Sequence, residues 1–272
     1  MKKMFRWQGI VLLMCLLTTS LLVGCKVMDD QQREDRLKEL LRDKYGEEFK
    51  VREMYVTEKV EAWCYPVDNP NLLFTISTQL DMEKIGSDEY LQVVVEKQIN
   101  DELQPLVEKS FGENSFIYSD IPLGSTDGLM NYDASTINLI LLRDYIKKEE
   151  LSDKIYIRII ANEQNNNINM EYDFIKKMGD MYKTDELPEI ILSLYYGDSV
   201  FISESQKALG EYGWHSTGTD DYVDIMSVVK EKEKIVIYYH ENGDPYISEN
   251  SFETQTELDL DEYKIIRMDA IK

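Results

Sequence analysis

Histidine, cysteine, proline and glycine are all scarce in this 272-residue chain, which has 2 His, 3 Cys, 6 Pro and 13 Gly. Each scarcity excludes something. Two isolated histidines, His215 and His240, cannot build a conventional zinc site without carboxylates, and no His-x-x-x-His pair exists. Cys15 and Cys25 lie in the first 25 residues, so only Cys64 remains for the body and no intramolecular disulfide can staple it. Few Pro and Gly, with 43% hydrophobic and 30% charged residues, exclude a collagen-like, low-complexity or disordered chain. Phosphate loops, dinucleotide fingerprints and a Gly-x-Ser-x-Gly nucleophile elbow are absent. Positive charge is short as well, with 30 Lys+Arg against 52 Asp+Glu. Phosphate backbones are held by Lys and Arg clusters, so the charge argues against direct nucleic-acid binding.

The basic residues are also unevenly placed. The first 24 residues hold Lys2, Lys3 and Arg6 and no acid, and without them the formal charge falls from −22 to −25. An apolar run, Ile10 to Leu17, follows this basic start, Thr18-Thr19-Ser20 interrupts it, and Leu21-Leu22-Val23-Gly24-Cys25 closes it. Counted generously from Gly9 to Gly24 the run is 16 residues, short of the ~20 that span a bilayer as a helix. Basic start, apolar middle and small-residue end make a secretory signal.

Leu22-Val23-Gly24-Cys25 resembles the lipobox of bacterial lipoproteins. The resemblance implies that Cys25 carries diacylglycerol through a thioether, that Gly24 is the last residue removed, and that Leu22 and Val23 are recognition positions. It implies an extracytoplasmic protein held to the membrane through lipid on Cys25. Two acyl chains, at ~0.8 kcal/mol per buried methylene, anchor stably where one would be marginal. The 22 Lys to 8 Arg and only five Ala suggest an AT-rich coding sequence, which favours a Gram-positive host.

Residues 25–29 then form a short lipidated tether, its last four spanning at most roughly 15 Å. A helix is expected over Asp30–Tyr45, with Leu37, Leu40, Leu41 and Tyr45 on one stripe and Gly46 just past its end. Strands are expected at Phe49–Val56, Val60–Tyr65 and Leu72–Thr78, and a long helix capped by Ser87, kinked at Pro105 and ended by Gly112. Ser115–Ser119 reads as a further strand. Within this stretch Lys44-Tyr45-Gly46-Glu47-Glu48-Phe49, Asp68-Asn69-Pro70 and Phe74 resemble small uncharacterised lipoproteins of Gram-positive bacteria.

Residues 120–133 are rich in turn formers and read as a linker between an N-terminal lobe, 30–119, and a C-terminal lobe, 134–272. The second lobe is expected to hold a buried helix over Ser135–Glu149 and a βαβ unit. That unit joins Lys154–Ala161, the helix marked by Met170, Phe174, Met178 and Met181, and Glu189–Tyr196. A capping box at Ser203-Glu204-Ser205-Gln206 should open a short helix. A hairpin joins Lys234–His240 to Pro245–Ser248, with Asn242-Gly243 at a two-residue turn. The fold class is α+β, antiparallel or mixed sheets packed with amphipathic helices.

Candidate chemistry is sparse. Strand alternation puts Cys64 on the face of Val60 and Ala62, where a free thiol is structural. His215 lies between Trp214 and Ser216 in a loop, and no base or nucleophile is ordered around it. Asp220, Asp221 and Asp224 are the candidate calcium ligands, with Asp259, Asp261 and Glu262 a second acid group, yet neither has the spacing of an EF-hand loop. Both read as solvated faces. The 18 Tyr against 8 Phe suit half-wet contact surfaces, and one member each of Tyr195-Tyr196 and Tyr238-Tyr239 should face outward. The expectation is a non-catalytic binding module without cofactor, whose acidic body suits a basic protein or peptide. The alternatives are an envelope hydrolase with carboxylates assembled in space, or an accessory subunit of a membrane complex.

Overall fold

The computed structural model describes residues 28–121, 136–138, 154–164, 167–181, 189–212, 234–239, 245–249 and 254–270, with Leu141 and Tyr145. Helix α1 covers Asp30–Tyr45. Asp29 caps it, accepting from the Gln32 amide, while Gly46 takes φ 73° beyond its end, a conformation glycine adopts without a Cβ clash. Leu37 and Leu41 are its buried residues.

A hairpin-connected meander follows: β1 Phe49–Val56, β2 Val60–Pro66, β3 Phe74–Thr78 and β4 Ile85–Asp88, antiparallel in the order β1-β2-β3-β4. Val60, Ala62, Cys64, Phe74 and Ile76 turn to the core, and α1 lies across that face. Strand β4 falls where a helix start is expected. Ser87 belongs to it, opposite Ser77, and does not cap the helix. Gly86 lets the strand approach β3, since a Cβ there would meet the Ser77 carbonyl oxygen at 3.0 Å. Helix α2, Tyr90–Phe111, then begins at Glu89 without a side-chain cap and contains Pro105.

Strand β5, Phe116–Asp120, lies before the expected linker and is the edge of a second sheet. It pairs antiparallel with β6, Lys154–Asn162, which runs parallel to β7, Glu189–Gly197. Helix α3, Ile168–Met181, connects those parallel strands, giving the βαβ unit. Strands β8 Lys234–Tyr239, β9 Pro245–Glu249 and β10 Thr254–Glu257 extend the sheet antiparallel, to six strands ordered β10-β9-β8-β7-β6-β5. The chain is therefore α+β with one antiparallel and one mixed sheet. Helix α4, Ser199–Tyr212, follows β7 and α5, Leu260–Ala270, ends the described chain.

Helix α4 starts four residues before the expected capping box, because Asp198 rather than Ser203 caps it, its carboxylate accepting from the Phe201 amide at 2.9 Å. The β8–β9 hairpin also differs in register. Tyr239 faces Pro245, leaving five residues between them, an odd number that a strict two-residue turn cannot produce without a bulge. The turn itself, like the expected helix over Ser135–Glu149 for the most part, lies outside the described residues.

The six-stranded sheet packs against helices on one face and in part on the other. Ile155, Ile157, Ile159, Leu192, Leu194 and Tyr196 join α2, α3 and α5 in the main core, which is continuous with that of the four-stranded sheet. Phe116, Tyr118, Ile160 and Tyr195 meet Phe201 and Ile202 of α4 on the other side. Both Tyr195 and Tyr196 are therefore buried, and neither faces solvent as strand alternation alone suggests. Alternation assigns faces, not exposure. At the unpaired edge of β5 the second helix supplies side chains: Gln104 accepts from the Ile117 amide at 3.1 Å, and Glu96 accepts from the Ile121 amide at 2.8 Å. The strand edge is thus satisfied without another strand.

Candidate functional site

Two clusters of the same chemical kind flank β7. On its inner face Tyr196 meets Glu171 of α3 and Tyr263 and Arg267 of α5. The Arg267 guanidinium donates to both Glu171 carboxylate oxygens, Nε to Oε2 at 2.5 Å and Nη2 to Oε1 at 3.0 Å. The Tyr263 hydroxyl donates to Glu171 Oε2 at 2.8 Å, the Tyr196 hydroxyl does so at 3.1 Å, and the two hydroxyls lie 2.8 Å apart. The side chains of Arg267 and Glu171 are 3% and 0% exposed. Burial works against the charge on Arg267, and hydrogen bonding to Glu171 more than offsets it, so its pKa is raised. Burial, then the nearby Glu171 charge, pushes the Tyr196 hydroxyl well above the ordinary tyrosine range. Every group here is engaged with another element of the fold.

On the outer face of the same sheet, register places Tyr118 of β5, Arg158 of β6 and Ser193 of β7 in one row. The Arg158 guanidinium lies 5.3 Å from the ring centres of both Tyr118 and Tyr156 and donates to Asp120 at 3.1 Å. Tyr195 adjoins the group: burial raises its hydroxyl pKa, and the Arg158 charge works against that rise. Burial opposes the charge on Arg158, and Tyr118 and Asp120 restore it, with the net shift upward. Farther along the face Tyr238 and Tyr246 stack at 5.5 Å. Tyr156, Arg158, Val236 and Tyr238 keep partial exposure. A guanidinium between aromatic rings, with apolar and hydroxyl neighbours, offers stacking and hydrogen-bonding contacts.

A third polar group closes the first sheet. Asp88, buried, accepts from Lys44 at 2.5 Å, from the Tyr45 hydroxyl at 2.6 Å and from the Tyr90 amide at 3.1 Å. It ties the end of α1 to the start of α2. An open groove along α1, lined by Met28, Gln32, Arg36, Glu39 and Arg42, brings no reactive pair together, since Arg36 is already bonded to Glu39.

The positions singled out in the sequence fall differently. Cys64 is fully buried beside Phe74, and burial pushes its thiol pKa up, away from nucleophilic character. Asp259 is the cap of α5, accepting from the Asp261 and Glu262 amides at 2.8 Å each, and Asp261 pairs with Lys264. That acid group is a helix start. Among the described residues no cluster of three or more His, Cys, Asp or Glu could hold a metal. Leu22, Val23, Gly24, Cys25, His215, Asp220, Asp221, Asp224 and His240 lie outside the described residues.

Sequence reasoning missed Arg158, Asp120, Glu171 and Arg267, though signals for some were present. Glu171 shares the α3 stripe of Phe174, Ile175 and Met178, and an acid on an apolar stripe calls for a buried cation. Arg158 sits mid-strand among β-branched residues, with Tyr156 two positions before it.

No family model matches the chain, and no curated protein matches it. Among solved structures it is similar to a DUF5037 family protein from Ruminococcus gnavus ATCC 29149, with a TM-score of 0.60 at 15% identity. The superposition covers 87% of this chain and 99% of that one. At this identity the likeness is one of fold alone. No helix among the described residues is long and apolar enough to cross a membrane.

Proposed function

We propose that the chain is a lipid-anchored extracytoplasmic surface protein that acts as a non-catalytic binding module. The observation that carries the anchor is Leu22-Val23-Gly24-Cys25 closing a basic-then-apolar start. Support for binding comes from the outer face of the six-stranded sheet, where Tyr156, Arg158 and Tyr238 stay partly open beside Asp120 and a tyrosine stack. Aromatic and Arg side chains are the groups enriched where surfaces meet. A body of formal charge −25 favours a basic protein or peptide, whose approach it steers over about a Debye length, ~8 Å at physiological salt.

Radiolabelled palmitate supplied to expressing cells tests the anchor. Wild type should take up label and Cys25→Ala should not. Label persisting in the variant would refute the assignment.

A further inference from the structure

We infer that one end of the four-stranded sheet, the β1–β2 and β3–β4 turns carrying Val56 and Leu80, is a foot that rests on the lipid surface. The inference deepens the proposed function and rests on its lipid anchor at Cys25. It follows from where α1 begins. Midway along that helix, Arg36 donates to the Met82 and Glu83 carbonyls in the β3–β4 turn, at 3.1 and 3.4 Å. At its far end Lys44 and Tyr45 reach Asp88, and Tyr45 packs 6.0 Å from Phe49. The helix therefore starts at the end of the sheet where Val56, Val60, Thr78 and Ile85 are paired side by side, and runs toward the end marked by Phe49, Pro66 and Phe74.

Met28, just before the helix, packs against the core. Residues 1–27 lie outside the described chain, and a lipid-bearing Cys25 is only three residues from Met28, roughly 10 Å of extended chain. So short a leash leaves the body few orientations, and the nearest surface is this end of the sheet. The residues there fit a bilayer interface. Leu80 is 48% exposed, Val56 36% and Tyr55 38%, three of the large apolar side chains that the fold leaves open. Tyrosine suits the headgroup level, and Lys59 and Lys84 can extend stems along it. Val67, 41% exposed, sits in the β2–β3 turn at the opposite end and serves as an internal control.

The test uses the lipid-processed protein purified from bacterial membranes, carrying Leu80→Cys, Val56→Cys or Val67→Cys, each labelled with a fluorophore. Cys64 is buried and the Cys25 sulfur is occupied by the thioether, so each variant takes one label. The proteins are reconstituted into phosphatidylcholine–phosphatidylglycerol vesicles containing brominated lipid. Quenching at positions 80 and 56 should exceed that at 67 on the order of twofold or more, as for side chains settled at the acyl boundary. Equal quenching at the two ends, or stronger quenching at 67, would overturn the foot. Vesicle flotation of the unlabelled wild type separates the two ideas. Failure to float refutes the anchor and the foot with it, whereas flotation with equal quenching refutes the foot alone.

Discussion

Arg267 and Arg158 have nearly the same company, an acid and tyrosines, on opposite faces of one sheet. Arg267 lies 4.8 Å from the Tyr196 ring and bonds Glu171, and Arg158 lies 5.3 Å from two tyrosine rings and bonds Asp120. The adjacent residues Tyr195 and Tyr196 contribute one to each group. What separates them is cover. Three elements, α3, α5 and β7, close over the inner group, while the Arg158 side chain keeps 16% of its surface and Asp120 25%. The same chemistry is a closed lock where water is excluded and stays open to solvent where it is not.

The largest effect should come from opening the lock. Glu171→Gln leaves the Arg267 charge buried without a counter-ion, and chemical denaturation should show a loss of about 3–5 kcal/mol. A smaller cost is expected where the outer face is pinned to α4. A Cβ at Gly197 would fall 2.1 Å from the Phe201 ring, so Gly197→Ala must displace that ring. Its unfolding midpoint should drop by an amount equivalent to about 1–3 kcal/mol.

Alkaline pH gives the mildest challenge, felt only outside the physiological range. Burial raises the pKa of Tyr45, Tyr196, Tyr239 and Tyr263 above the ordinary 10.0. Their folded-state values are raised, so their contribution is complete below pH 10.0 and declines as pH climbs from there toward the folded-state values. Denaturant midpoints should be flat up to that point and fall beyond it, and a midpoint still flat at higher pH would show these hydroxyls to be solvated.

The contrast also marks how far the sequence could be read. Helix α1 was legible end to end, because Leu37 and Leu41 keep helical spacing and Gly46 stops it. The parallel β6–α3–β7 unit was legible from β-branched runs around an amphipathic segment. Strand β4 was not, since Gly86 and Ser87 pack by backbone proximity to β3 and show no apolar alternation. Ser203 looked like a cap, but Asp198 offered a better one a turn earlier. The clusters were hidden for another reason. Glu171 and Arg267 are 96 residues apart and Asp120 and Arg158 are 38, so only the paired strands and packed helices reveal them.

The central claim, that cover rather than composition sets the role of each group, is tested most directly by one paired measurement. Arg267→Ala and Arg158→Ala are unfolded in urea alongside wild type. The inner variant should lose about 3–5 kcal/mol, having left Glu171 stranded, and the outer one about 1 kcal/mol, since water can replace the guanidinium at Asp120. Equal losses, or a larger one at Arg158, would contradict the account.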